Sequence, residues 1–262
     1  MNTLLDLDCF PLDRPSSQDY ANLVSRCRKD LATDGMFNLV GLIKPETAAA
    51  AAAEIKPIME KEAFTHKREH NIYFKREIPG LAPDHPALKL CETVNHTLCA
   101  DQLDTGIVMQ VYQFEPLAAF IADCMGKDQL HLMADPLARV NVMAYREGEA
   151  LNWHFDRSEF TTTLLLQAPQ KGGDFVYRTD LRTNEDPNYD GVAKLLNGQD
   201  PEEKVLEVTA GTLNVFKGKN TAHRVSPVVG DRQRLIAVFS YYENPGVVFT
   251  KEDQIGFYGR AA

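Results

Sequence analysis

Short β-strand candidates separated by turn signals fill the second half of the 262-residue chain, and they restrict the fold more than any other feature. The candidates are short apolar or alternating runs: Arg139–Tyr145, Thr161–Gln167, Phe175–Tyr177, Val205–Val208, Thr212–Phe216, Arg224–Val229 and Leu235–Tyr242. Segments rich in glycine, asparagine and aspartate lie between many of them. This spacing is typical of a β-sandwich or a β-barrel.

The first 135 residues show helical periodicity instead. We predict helices over Ser17–Thr33, from Pro45 through the alanine run with a break or kink at Pro57, and over His85–Leu103 and Leu117–Met125, with a short strand at Phe37–Ile43. The chain is thus expected to be one domain, 1–262. A mainly helical support (1–135) would pack on a β-rich core (136–245), and a tail (246–262) would lie near the site.

Composition narrows the class of partner. The chain has 28 Lys and Arg against 37 Asp and Glu, a net charge of −9, which disfavours nucleic acid and mildly favours a cationic partner. No apolar run is long enough to span a membrane, and the N-terminus lacks the basic segment of a signal peptide. The 5 cysteines form no CxxC pair and are expected to be reduced thiols of a cytoplasmic protein. A homodimer is compatible with the sequence.

A His-x-Asp motif, His154–Phe155–Asp156, is the first candidate for chemistry. In an extended segment residues i and i+2 point to the same side, so His154 and Asp156 would converge. A second histidine, His223, follows another strand candidate. Two imidazoles and one carboxylate form the facial triad that suits non-haem Fe(II). Taken alone, a histidine near an aspartate is more often a hydrogen-bonded structural pair.

An arginine follows the second histidine at the start of the last long strand candidate. Arg234 lies eleven residues after His223, and the planar fork of its guanidinium can bind a carboxylate bidentately. Arg232 is the alternative for this role. The competing interpretation of either arginine is a solvated surface charge.

This order of residues resembles the Fe(II)/2-oxoglutarate-dependent dioxygenases, over roughly Arg139–Tyr242. The resemblance implies an α+β fold with a double-stranded β-helix core (a cupin-like jelly roll) and N-terminal helices packed on one side. It implies that His154, Asp156 and His223 hold iron, that Arg234 binds 2-oxoglutarate, and that O₂ is the other cosubstrate. Tyr145 is a weaker candidate for a hydrogen bond to 2-oxoglutarate.

A narrower resemblance spans most of the chain. The segments that carry it are Asn71–Phe74, Trp153–Phe160, Thr163–Gln167, Gly172–Gly173, His223–Val225, Ser240–Tyr241 and Phe257–Arg260. Together they resemble the free-lysine radical halogenases and their hydroxylating relatives. The halogenases of that group have a small residue at the position of Asp156, where chloride binds the iron. The carboxylate of Asp156 therefore implies hydroxylation and not halogenation.

The substrate is expected to be a small molecule, a free amino acid with L-lysine as the first candidate, held by residues outside the triad. Candidates share a polar or aromatic side chain near the motifs: Arg76, Asn141, Trp153, Ser240, Phe257 and Tyr258. Each has a structural alternative, such as a solvated charge for Arg76, a core position for Trp153 and a cross-strand hydrogen bond for Asn141 or Ser240. The polar connection Arg178–Lys204 is either a lid or a decorated insertion with a helix at Val192–Asn197.

Two other functions compete with lysine hydroxylation. One is the same chemistry on another amino acid, a small metabolite or a peptide side chain. The other is a cupin-like protein that binds a metal or ligand without turnover. The triad together with Arg234 argues against the second alternative, because a binding module needs no open-sided iron site.

Overall fold

The computed structural model describes residues 1–103 and 105–262 of the chain. The α-helices are α1 (Gln18–Asp34), α2 (Pro45–Glu62), α3 (Ile107–Tyr112), α4 (Glu115–Met125), α5 (Tyr189–Leu196) and α6 (Lys251–Tyr258). Short 3-10 helices cover Pro86–Leu88 and Ala100–Gln102. Among the described residues no helix is both long and apolar enough to cross a membrane.

The strands are short and spread over the whole chain. They are β1 (Met36–Leu39), β2 (Phe64–His70), β3 (Cys91–Cys99), β4 (His131–Leu132), β5 (Val140–Tyr145), β6 (Leu151–His154), β7 (Thr161–Gln167), β8 (Lys171–Gly172), β9 (Phe175–Arg178), β10 (Lys204–Leu206), β11 (Leu213–Phe216), β12 (Ala222–Val225), β13 (Val228–Val229), β14 (Arg234–Phe239) and β15 (Tyr241–Tyr242).

Two antiparallel sheets form the jelly-roll core. The larger sheet has the strand order β1-β11-β7-β14-β5-β3-β2, and the smaller has the order β10-β9-β12-β6. Most neighbours along the sheets are not consecutive in the chain, as expected when strands alternate between the two sheets of a jelly roll, whereas the pairs β2-β3 and β9-β10 are consecutive. Strands β8 and β13 pair with each other, as do β4 and β15.

The two faces of the larger sheet have different roles, which follow from the alternation of side chains along a strand. One face carries buried aliphatic residues that join the main hydrophobic cluster with the helices: Val140, Val142, Ala144, Leu164, Leu166, Leu213, Val215, Leu235 and Ala237. The opposite face lines a cavity between the sheets and mixes polar with apolar residues. The helices therefore support the sheet from behind and leave its inner face to the site.

Helix α1 begins and ends where its sequence predicts, and helix α2 begins at Pro45 as predicted. The Ser17 hydroxyl accepts the amide N–H of Tyr20 at the start of α1, and Gly35 closes that helix with φ 70°. Helix α2 continues through Pro57 as far as Glu62, so the predicted break is absent from this helix. Small side chains of its alanine run, among them Ala51 and Ala52, are buried in the main hydrophobic cluster.

The prediction of a helix over His85–Leu103 is wrong. Its central part, Cys91–Cys99, is strand β3, which pairs with β2 and β5 and extends the larger sheet. β-branched residues such as Thr93, Val94 and Thr97 favour a strand there. The first half of the chain thus contributes β1, β2 and β3 to the core sheet and is not only a helical support.

The connection Arg178–Lys204 packs against the rest of the molecule. The Tyr73 hydroxyl donates to the carbonyl of Pro187 at 2.5 Å, and its ring stacks on Phe155 at a centroid distance of 5.6 Å. Residues Val192 and Leu195 of α5 are buried in the same cluster. The segment therefore packs in a small hydrophobic cluster that it shares with the loop that follows β2.

The C-terminal tail is held in place by one buried carboxylate. Asp135 accepts the amide N–H groups of Leu137 and Ala138 on one oxygen, and those of Phe249 and the Gln254 side chain on the other. Burial raises the pKa of Asp135, but these hydrogen bonds outweigh it and leave the pKa below its ordinary value. The carboxylate fixes the start of α6 against the core.

Replacing Asp135 with asparagine is expected to lower the free energy of unfolding by about 2–4 kcal/mol, since two buried donors then face an NH₂ group. Because the folded-state pKa is depressed, the stabilisation is present above the unfolded pKa and is lost as pH falls through the folded pKa. The wild type should therefore lose stability below about pH 4 more steeply than the variant. Urea unfolding at neutral and acid pH measures both effects, and equal stabilities would contradict the role of Asp135.

Candidate metal centre

His154, Asp156 and His223 meet at one end of the cavity. His154 is the last residue of β6 and lies directly opposite His223 of β12, next to an irregularity in the pairing. The Nε2 atom of each histidine lies 3.5 Å from a different oxygen of Asp156. The three candidate ligand atoms lie within 4.8 Å of one another. The predicted convergence of His154 and Asp156 is confirmed, whereas Phe155 points into the cluster with Tyr73.

Hydrogen bonds to the backbone fix the tautomer of both histidines. The Nδ1 atom of His154 lies 2.8 Å from the carbonyl oxygen of Asn152, and that of His223 lies 3.0 Å from the carbonyl of Thr221. A carbonyl oxygen only accepts, so each Nδ1 carries the proton and each Nε2 keeps a free lone pair. Burial lowers the pKa of His154, and His223 lowers it further, which favours the neutral, metal-binding form.

Asp156 is oriented by two neighbours outside the triad. The Thr161 hydroxyl donates to Oδ2 of Asp156 at 2.5 Å, and the Asp156 amide N–H donates to the carbonyl of Gly218 at 3.0 Å. Burial raises the pKa of Asp156, but the imidazoles of His223 and His154 hold it well below its usual range. The group is thus a carboxylate, aimed at the two Nε2 atoms.

Gly218 leaves the space that this carboxylate occupies. A methyl group at its Cα would lie 2.4 Å from Oδ2 of Asp156 and 2.6 Å from the hydroxyl of Thr161. Gly218→Ala is therefore expected to displace the carboxylate and to weaken Fe(II) binding by about 10–100-fold, the range for changes next to a ligand. The matched control is Gly256→Ala in α6, where nothing lies within 4 Å of the added carbon.

The Fe(II) affinity of both glycine variants is measured by equilibrium dialysis against increasing Fe(II), with iron analysis of the protein. Gly256→Ala should bind Fe(II) as the wild type does, since alanine suits a helix interior better than glycine. Wild-type affinity in Gly218→Ala would show that the space around Asp156 does not matter.

Arg234 reaches into the same cavity, which has a volume of about 170 Å³ and includes all three triad residues in its wall. Its side chain is buried, and its Nε donates to the carbonyl of Gly173 at 2.9 Å. Among the described residues its Nη1 has no hydrogen-bond partner, although it is buried. A buried guanidinium nitrogen without a partner is costly and indicates a ligand with an acceptor group.

Tyr145 lies beside Arg234 in the wall of this cavity. The two residues are paired across β5 and β14, and the guanidinium lies 5.9 Å from the tyrosine ring centre. Burial raises the pKa of Tyr145 to about 12, while Arg234 and Arg68 act in the opposite direction. The hydroxyl is therefore protonated and can donate a hydrogen bond to a ligand next to Arg234.

The structure separates the two arginine candidates. Arg232 is exposed, and its guanidinium donates to the carbonyl of Pro169 at 3.0 Å, outside the cavity wall. The physical reason is that Arg232 lies in the exposed bend before β14, whereas Arg234 is the first residue of the strand and shares its inner face with Ile236 and Val238. Of the two arginines, Arg234 is thus the one that lies in the wall of the cavity.

The six predicted substrate-binding residues lie outside the cavity wall. Asn141 donates to the Leu137 carbonyl and accepts the Tyr258 hydroxyl at 2.9 Å, and the Ser240 hydroxyl donates to the Ala138 carbonyl. These are the structural hydrogen bonds that sequence alone left as the alternative. The assignment of Asn141, Ser240 and Tyr258 to the substrate stays a prediction, and their observed partners favour the structural alternative.

The other three candidates, Trp153, Phe257 and Arg76, have different surroundings. Trp153 lies on the opposite side of β6 from the triad, with the Arg224 guanidinium 5.2 Å from its ring centre. Phe257 packs in the tail cluster and lies under the guanidinium of Arg157. Arg76 is exposed in the loop after β2.

Sequence reasoning missed Thr161, Gly218 and the inner face of β2. Strand β2 had no clear signal, because Phe64–His70 contains no alternation of apolar and polar residues, and the alternation of exposure along it is a property of the folded chain. The contacts of Thr161 and Gly218 with Asp156 had no signal in the sequence, because both depend on how the chain folds back on itself.

Comparisons with known proteins agree with this geometry. A family model described as Halogenase D matches residues 20–247 of the chain. No sequence among the curated proteins matches the chain.

Several solved structures share the fold. A prolyl-4-hydroxylase from Pseudomonas putida has a TM-score of 0.52 at 17% identity, covering 82% of this chain and 97% of its own. SnoN, an epimerase solved with Fe³⁺, alpha ketoglutarate and nogalamycin RO, has a TM-score of 0.55 at 14% identity over 84% of each chain. HygX from Streptomyces hygroscopicus, solved with nickel and 2-oxoglutarate, has a TM-score of 0.53 at 12% identity, covering 82% and 85%.

Proposed function

The chain belongs to the halogenase D family, and on that premise we propose that it is an Fe(II)/2-oxoglutarate-dependent hydroxylase of a free amino acid. The observation that carries the proposal is the meeting of His154, Asp156 and His223 in the cavity that also holds Arg234. Bound iron and 2-oxoglutarate would supply the oxidising chemistry, with O₂ consumed and succinate and CO₂ released.

The residues present fit both groups. Two neutral imidazoles with free Nε2 atoms and one carboxylate are the donor set that suits non-haem Fe(II). The partnerless Nη1 of Arg234 fits the carboxylate of 2-oxoglutarate that lies farther from the metal. His154, Asp156 and His223 would hold the metal, and Arg234 with Tyr145 would orient 2-oxoglutarate.

The protein's own part is binding, orientation and exclusion of water. Apolar residues such as Leu165, Ile236 and Val238 line the cavity around Arg234, so a bound carboxylate there is shielded from solvent. Shielding strengthens the pairing of Arg234 with its ligand, since charges attract more strongly away from water. The triad residues act as ligands, and no side chain is required as a general acid or base.

Asp156 favours hydroxylation over halogenation, although the family model bears the halogenase name. Its carboxylate lies between the two histidines, at the place where a chloride would need to bind for halogenation. Thr161 and Gly218 hold the carboxylate there. We propose L-lysine as the first substrate to test, and other amino acids as the alternative.

The test is an assay of the reconstituted protein with Fe(II), 2-oxoglutarate, ascorbate and chloride, with each proteinogenic amino acid supplied separately. The expected result is succinate release coupled to one amino acid, with a product heavier by one oxygen atom. A chlorinated product would contradict the hydroxylase assignment, and coupling only to an amino acid other than lysine would correct the substrate. Absence of coupled succinate with all of them would remove the amino-acid proposal.

A further inference from the structure

The guanidinium of Arg234 is held by a single peptide group, the one that joins Gly173 to Asp174. The carbonyl oxygen of this peptide accepts a hydrogen bond from Nε of Arg234 at 2.9 Å. Its N–H, which belongs to Asp174, donates to the Ser226 hydroxyl at 2.9 Å. Because a trans peptide is planar and its N–H and C=O point in opposite directions, Ser226 fixes the direction in which the carbonyl faces Arg234.

Ser226 and Asp174 are joined by two further hydrogen bonds. The N–H of Ser226 donates to the carbonyl of Asp174 at 3.0 Å, and the Ser226 hydroxyl donates to Oδ2 of Asp174 at 3.0 Å. The hydroxyl thus accepts from one group of Asp174 and donates to another, so its orientation is set. The pair directly follows the ladder of β9 and β12, in which Val225 lies opposite Phe175. The strand that carries His223 therefore also supports Arg234.

Gly173 leaves the space that the stem of Arg234 occupies. A methyl group at its Cα would lie 3.1 Å from Cδ of Arg234 and 2.8 Å from Cγ of Pro169. Gly172 and Gly173 both have φ 64°, in the left-handed region that glycine adopts without strain. The chain can therefore turn between β8 and β9 and bring the Gly173 carbonyl to Nε of Arg234.

The carboxylate of Asp174 favours the charge of Arg234 without taking its free nitrogen. Burial lowers the pKa of Arg234, while Tyr145 and Asp174 act in the opposite direction. Oδ2 of Asp174 accepts the Ser226 hydroxyl, and Nη1 of Arg234 has no partner within the described part of the chain. The guanidinium is therefore fixed at Nε and keeps Nη1 for a ligand.

We infer that Gly173, Asp174 and Ser226, together called the Arg234 support, are positioning residues for 2-oxoglutarate that act through Arg234. The inference rests on the proposed function, because it concerns the cosubstrate side of the same metal site. A guanidinium that is already held at one nitrogen loses less freedom when it binds a carboxylate. The Arg234 support should therefore raise the affinity for 2-oxoglutarate above that for oxo acids that lack a second carboxylate.

The experiment compares 2-oxoglutarate with 2-oxopentanoate, which has a methyl group in place of the second carboxylate. Calorimetry on the Ni(II)-loaded protein measures both affinities without turnover. The wild type should prefer 2-oxoglutarate by about tenfold or more, as expected for a charge-assisted hydrogen bond. Ser226→Ala should weaken 2-oxoglutarate binding by about 3–10-fold and change 2-oxopentanoate binding by less than about twofold. Ser226→Thr keeps the hydroxyl and should bind 2-oxoglutarate as the wild type does.

A pair of glycine variants serves if Ser226→Ala fails to fold. Gly173→Ala and Gly148→Ala both place alanine at a positive φ, 64° and 76°, so their backbone costs are similar. Nothing lies within 4 Å of the added carbon at Gly148, whereas the one at Gly173 crowds Arg234. Gly173→Ala should lower the preference for 2-oxoglutarate by about fivefold or more, and Gly148→Ala should keep it.

Combining Ser226→Ala with Arg234→Gln shows whether the serine acts through the arginine. In the Arg234→Gln background the serine change should cost no further affinity for 2-oxoglutarate, because the two residues act as one unit. Equal losses in both backgrounds, equal losses for both oxo acids, or unchanged binding in Ser226→Ala would overturn the inference. If the preference for 2-oxoglutarate depends on Ser226 but the protein oxidises no amino acid, the proposed function fails and the inference stands.

Discussion

Replacing Asp156 with alanine is expected to lower succinate release by more than about 100-fold, because loss of a metal ligand exceeds the effect of losing a group behind one. The carboxylate lies 3.5 Å from Nε2 of both His154 and His223, so its removal leaves two ligands and an open position. Fe(II) affinity, measured by dialysis, should fall together with turnover. Folding should survive, since no core packing depends on this side chain's apolar atoms.

The matched control is Asp231→Ala, which removes an exposed carboxylate in a turn of the same protein. It should leave Fe(II) affinity and turnover within about twofold of the wild type, as surface substitutions usually do. Full turnover in Asp156→Ala would reject the assignment of the metal ligands. Full Fe(II) binding with lost turnover would show that Asp156 acts on the reaction and not on the metal.

Arg234→Gln is expected to weaken 2-oxoglutarate binding by about 10–150-fold, the value of a charge-assisted hydrogen bond of 1.5–3 kcal/mol. The reason is the buried Nη1, which has no acceptor among the described residues and fits a carboxylate. Calorimetry with the Ni(II)-loaded protein measures this affinity without turnover. The 2-oxoglutarate affinity of Arg234→Lys should lie between those of the wild type and Arg234→Gln, because lysine keeps the charge but not the planar fork.

Arg232→Gln is the matched control for Arg234→Gln, because Arg232 lies only two residues before the start of β14. Its guanidinium is exposed and contacts the Pro169 carbonyl, so 2-oxoglutarate affinity should change by less than about twofold. Loss of affinity in this variant with normal binding in Arg234→Gln would reverse the assignment of the two arginines.

The metal site was predictable because it depends on local geometry. Strand alternation puts His154 and Asp156 on one side whatever the rest of the fold, and the same rule puts Arg234 on the inner face of β14. Strand β7 has the bounds expected from its apolar run, Thr161–Gln167. Such features can be predicted from the residue types and from the alternation of apolar and polar residues along a strand.

The substrate side was not predictable because it depends on long-range contacts. The sequence predicts that Asn141 faces a polar cavity, but its side chain accepts a hydrogen bond from Tyr258, which is 117 residues away in the chain. A polar side chain in an apolar strand indicates only that a partner exists, and the fold decides whether the partner is protein or ligand.

His154 and His223 lie opposite each other on neighbouring strands, and this affects the local unfolding of the smaller sheet. A metal bound by both histidines would link β6 to β12. Because the metal site exists only in the folded state, metal binding would stabilise this pair of strands. Amide hydrogen exchange in these two strands should therefore slow on metal loading, while exchange in helix α1, which lies behind the other sheet, should not. The rate of hydrogen exchange in the smaller sheet would then report whether the metal site is occupied.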